Sequence, residues 1–128
     1  MSYGIRKRVD LPWDQAVAKS REALETEGFG VLTEIDMREK LKEKLGVDFK
    51  NYIILGACNP PLAYKALQAE PEIGLLLPCN VIVYEEGEGS MVAAMDPGVM
   101  VELVGENDPL REVADDARAR LERALDRI

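Results

Sequence analysis

Cys58 and Cys79 are the two cysteines of the sequence, and each is followed by an asparagine, Asn59 and Asn80. A pair of thiols can cycle to a disulfide. It can hold a soft metal together with a carboxylate. A thiolate at a helix start can act as a nucleophile, and Asn59-Pro60 reads as such a start. A plainer use competes with all three: free cysteine is among the most buried residue types and fills cores as a small apolar group. Histidine is absent. Its absence removes the commonest general base, the Ser-His and Cys-His pairs, and the commonest metal ligand. Zinc is disfavoured, because two thiols leave half a tetrahedral shell to carboxylates. No catalytic residue, cofactor or metal is assigned from the sequence, and the reading leans against an enzyme without deciding it.

Other reactive side chains have structural readings. Glu85, Glu86 and Glu88 fall in a loop, where carboxylates are solvated. Asp36, Asp96 and Asp108 each precede a helix start, which capping explains. The glycines lack phosphate-loop spacing, since Gly28-x-Gly30 has no third glycine and precedes a strand. Met91, Met95 and Met100 read as core filler.

The elements that would position the thiols follow from periodicity. Residues 3–9 alternate as a strand. Trp13, Ala16, Val17, Ser20 and Leu24 recur at helical spacing, with Pro12 at the start and Gly28 at the end. Phe29 to Ile35 alternate again. Asp36 opens a short helix with Met37, Leu41 and Leu45 on one stripe, stopped by Gly46. Tyr52 to Ala57 is a buried strand, and Asn59 caps a helix that begins with Pro60 and Pro61. Ile73 to Leu77 reads as an apolar connection. Cys79–Glu85 and Ser90–Met95 form a hairpin. A short helix or turn follows Asp96-Pro97-Gly98. Asn107-Asp108-Pro109 opens a final helix whose stripe runs from Leu110 to Ile128.

This order predicts an α+β fold: a mostly antiparallel, curved five-stranded sheet with two long helices on one face. The first two strands are expected to be parallel and joined by the first helix as a crossover. If strands three and four are antiparallel neighbours, Cys58 ends one beside the start of the other at Cys79. The end of strand five brings Asp96 to the same edge. Cys58, Asn59, Cys79, Asn80 and Asp96 form the candidate site, as a ligand or redox site.

The bulk properties bound the function. A chain of 128 residues with 47% hydrophobic residues fits one domain, 1–128, without disulfide or metal staples. A net charge of -8 opposes nucleic acid and anionic membranes. No apolar run approaches a membrane span, and no secretory signal is visible, so a cytoplasmic setting is expected. Few amide residues and a last helix that mixes Arg with Asp and Glu lean towards a thermophile.

Three runs then resemble a known family. Gly28-Phe29-Gly30-Val31 with Glu34-Ile35-Asp36, Leu55-Gly56-Ala57-Cys58-Asn59-Pro60, and Leu76-Leu77-Pro78-Cys79-Asn80-Val81 are similar to the uncharacterised family "domain of unknown function 302". The resemblance covers nearly the whole chain, and the Cys-Asn-Pro and Leu-Pro-Cys runs carry it most specifically. It implies a β-α-β(4)-α fold like the TATA-binding-protein half repeat, with short helical insertions, and dimers. It brings no activity, and a shared fold brings no DNA binding. The resulting expectation is a small binding or accessory protein, a homodimer, with a small apolar ligand held between the sheet and the last helix. A thiol-dependent redox protein or enzyme and a dimer-forming interaction module are the alternatives.

Overall fold

The computed structural model describes residues 2–128. Five strands, β1 (Gly4–Val9), β2 (Gly30–Asp36), β3 (Tyr52–Cys58), β4 (Cys79–Glu86) and β5 (Gly89–Met95), form one sheet. Their order is β1-β5-β4-β3-β2, and every neighbouring pair is antiparallel. Side chains alternate across a strand. Leu55 and Ala57, Val81 and Val83, and Val92 and Ala94 are buried on one face. Ile54, Ile82, Tyr84 and Met91 are half-buried on the other.

The first two strands are parallel and joined by the first helix, as expected, but they are not neighbours. β1 and β2 point the same way but lie at opposite edges, with three strands between them. The hairpin is the reason. β4 and β5 are separated by Gly87-Glu88 alone, with Gly87 at φ +61°, so β5 must lie beside β4. β1 then pairs with the free edge of β5, and β3 and β2 extend the other side.

Five α-helices accompany the sheet: α1 (Trp13–Thr26), α2 (Met37–Leu45), α3 (Pro60–Ala69), α4 (Gly98–Val104) and α5 (Asp108–Asp126). Asparagine and aspartate side chains start three of them. Asp36, Asn59 and Asn107 accept from the amides of Glu39, Leu62 and Leu110 at 3.0, 3.3 and 3.0 Å. The cap of α5 is therefore Asn107 rather than Asp108. The connection expected at Ile73 to Leu77 falls largely within a 3-10 helix (Pro71–Leu76). α2 buries none of its residues, and Leu45 is 69% exposed. It follows the edge strand β2, beyond the cover of the long helices. α5 buries Leu110, Val113, Ala114, Ala117, Leu121, Ala124 and Leu125 in one stripe. With α1 it closes the core over the buried sheet face. Among the described residues, no helix is long and apolar enough to cross a membrane.

Glu27 joins these layers. It ends α1, where the helix dipole disfavours a carboxylate. Arg123 and Arg127 of the α5 end offset this, with nitrogens 2.9 and 2.6 Å from its oxygens. The Glu27 carbonyl accepts from Asn59 Nδ2 at 3.2 Å and from Arg120 at 3.3 Å. One residue thus ties α1, the start of α3 and α5 together. Hydrogen bonding from Arg123 holds the Glu27 carboxyl below its usual 4.5, against the opposing effect of burial. The charged pairing therefore contributes stability above about pH 4.5 and loses it as pH falls through the lowered value. Glu27→Gln is expected to lower the unfolding midpoint at neutral pH and to flatten its fall in acid. Denaturant unfolding across pH 2 to 7 measures both, and identical acid slopes for the two proteins would contradict the assignment.

Candidate functional site

A cavity of about 390 Å³ opens where the end of β3 and the start of β4 pass under α3 and α5. That volume falls within the range of small-molecule sites. The sheet end contributes Ala57, Cys58 and Cys79. α3 contributes Leu62, Ala63, Ala66 and Leu67, spaced at three and four so that they share a face. Val113 and Ala117, one turn apart on α5, form the opposite wall. Phe29 and Met100, each 2% exposed, close the interior.

No residue that lines this cavity is charged. Its polar side chains are Thr33, Asn59 and the two thiols. Asn59 has both amide atoms engaged, Oδ1 with the Leu62 amide and Nδ2 with the Glu27 carbonyl. It serves as a strut rather than a free recognition group. The neighbouring Gly28 adopts φ +84°, and a Cβ there would lie 3.0 Å from Asn59 Nδ2. A side chain at Gly28 would be strained and would press on that strut.

Both thiols line this cavity. Ala57 pairs with Cys79 in the β3–β4 register, so Cys58 lies one position beyond that pair, at the end of β3. Both are free, Cys58 half-buried and Cys79 buried. Burial, with a smaller contribution from Cys58, pushes the Cys79 thiol up to about 11. At neutral pH Cys79 is a protonated, weakly nucleophilic group.

The five residues singled out in the sequence do not share one mouth. Cys58, Asn59 and Cys79 line the cavity. Asn80 alternates to the opposite face of β4, is exposed, and lines a groove there. Asp96 stands at the expected sheet end, 4% exposed, but does not line the cavity. One of its oxygens accepts from the Gly98 amide at 2.9 Å and the other pairs with Arg118 of α5. Its role is to fix the turn into α4 against the last helix. No group of three or more carboxylate or thiol side chains suited to a metal occurs among the described residues.

Sequence reasoning expected an apolar cavity between the sheet and the last helix but named none of its helical wall residues as site residues. Leu62, Ala66, Val113 and Ala117 read as ordinary core stripes. The available signal was the small size of Ala63, Ala66 and Ala117, which leaves space where larger side chains would fill it. Glu27 was also missed, although an acid at a helix C-terminus calls for a partner.

The family description "domain of unknown function DUF302" matches residues 5–128. Among solved structures, the chain is similar to an uncharacterized conserved protein DUF302 from Bacillus stearothermophilus. The two are 33% identical, with a TM-score of 0.91 over 99% of this chain and 98% of that one. No curated protein matches the chain. A match over nearly the full length, in sequence and in fold, shows that the chain belongs to the DUF302 family.

Proposed function

We propose that this protein is a binding protein that takes a small, uncharged, apolar molecule into the cavity between β3, β4, α3 and α5. The observation that carries this reading is the wall itself: a concave, apolar space of about 390 Å³ with no charged residue on it. A charged ligand would lose its hydration there and find no counter-ion. An apolar one gains by leaving water, at roughly 25 cal/mol per Å² of surface buried. In this reading Cys58 and Cys79 are soft wall groups beside the ligand. Two unbridged thiols also favour a reducing, cytoplasmic setting.

A thiol enzyme that uses Cys79 requires a thiolate there, and the raised Cys79 thiol favours the wall role for that residue instead. Iodoacetamide labelling, followed residue by residue by mass spectrometry, is expected to modify Cys79 only as pH approaches 11. Fast modification at pH 7 would support the enzyme reading and contradict this one.

Binding is tested with N-phenylnaphthylamine, a neutral probe whose fluorescence rises on transfer from water. Saturable binding to the folded protein is expected. Ala63→Trp, at the half-buried mouth of the cavity, is expected to weaken it at least about tenfold with circular dichroism unchanged. Equal affinity in the two proteins would remove the cavity as the site. Native mass spectra of the same samples report any retained molecule and whether a second copy is bound.

A further inference from the structure

The other face of the sheet has a different chemistry. Three of the four tyrosines, Tyr3, Tyr52 and Tyr84, and one of the two phenylalanines, Phe49, gather around one groove on it. Tyr52 and Tyr84 are cross-strand partners, stacked at 5.4 Å with 6° between their planes. Phe49 leans on Tyr52 at 6.1 Å. Tyr3 is 71% exposed and Phe49 41%. Ring surface is therefore left open to water.

The groove also reverses the charge of the molecule. The chain carries 24 acidic residues and a net charge of -8, yet no carboxylate lines this groove. Arg6 and Lys50 do. The Arg6 guanidinium sits 5.6 Å from the Tyr3 ring centre, and Lys50 Nζ 5.0 Å from that of Tyr84. Neither is engaged by any ion pair among the described residues. Asn80 adds an exposed amide to the same groove.

We propose that this open face binds a nucleotide, its planar base against the exposed aromatic rings and its phosphate at Arg6 and Lys50. Stacking on aromatic rings is the usual means of holding a base on an open sheet. A terminal phosphate carries about -1.5 to -2 at neutral pH, which two unpaired cations match. The same charges decide between occupants. A single strand would lay repeated phosphates across a strongly acidic surface, which repels them. A second copy would bring the same two cations against this face. A mononucleotide meets the cations with one phosphate and leaves the acidic surroundings untouched.

The test is an NMR titration of the intact chain with AMP. Saturable shifts are expected at the backbone amides of Tyr3, Arg6, Phe49, Lys50 and Tyr84. Adenosine, which lacks the phosphate, is expected to bind at least about tenfold more weakly. Arg6→Gln and Lys50→Gln are each expected to weaken AMP at least about fivefold, with amide spectra otherwise unchanged. Phe49→Ala, at an exposed ring, is expected to weaken AMP and adenosine alike. Several results would overturn the proposal. They are no saturable shift at millimolar AMP, shifts confined to Leu62 and Met100 of the cavity, equal affinity for adenosine, and tighter binding of a twelve-nucleotide single strand. A dimer that covers these residues and excludes AMP would also overturn it.

Discussion

The Glu27 carboxylate is held by Arg123 and Arg127, while its carbonyl is held by Asn59 and Arg120. These bonds fix how far the end of α5 stands from the start of α3. The cavity occupies the space between those helices, so its width depends on them. The arrangement places an acid where the α1 dipole disfavours one, and surrounds it with guanidinium groups of the helix that must be anchored. Burial with a full set of partners favours one geometry strongly, because any slip leaves a buried charge exposed to a poor environment. Asp96 and Arg118 act in the same sense further along α5, holding the turn into α4 against it.

The alternation of a β-strand gives the sheet two unlike faces. On one, Ala57, Cys79, Val81 and Val83 look into the core and the cavity. On the other, Asn80, Ile82 and Tyr84 look outward beside Tyr52. Cys79 and Asn80 are consecutive in sequence and belong to separate sites. The cavity excludes charge and suits a neutral ligand. The groove concentrates cations and aromatic rings in an acidic molecule. Twist and pairing hold both faces through the same hydrogen bonds, so the two surfaces are rigidly placed back to back.

Much of the fold was legible because local signals agreed with it. Asn59 before Pro60-Pro61, Asn107 before Pro109 and Gly46 after Leu45 marked helix ends that the structure shows. The stripe from Leu110 to Leu125 gave α5 its buried face. The neighbourhood of Cys58 and Cys79 followed from the antiparallel pairing of β3 with β4. What periodicity could not give was the partner of β1, because a strand's pattern names its buried face and not its neighbour. The Met37, Leu41 and Leu45 stripe misled for a related reason: an amphipathic pattern says that a face is apolar, not that something covers it. The candidate site was half legible. Register put Cys58, Asn59 and Cys79 together, whereas Asn80 points to the opposite face and the Asp96 carboxylate is taken up by Gly98 and Arg118, neither of which the topology gave. The Glu27 contacts span about a hundred positions and leave no local trace in sequence.

The most direct measurement of the central claim is a set of intermolecular nuclear Overhauser contacts between naphthalene and methyl-labelled protein. Naphthalene is small, neutral and apolar, as the proposed ligand class requires. Contacts are expected to the methyls of Leu62, Met100 and Val113, which surround the cavity from three elements. Contacts only to Ile82 and Met95 on the open face, or none at saturating naphthalene, would contradict the account.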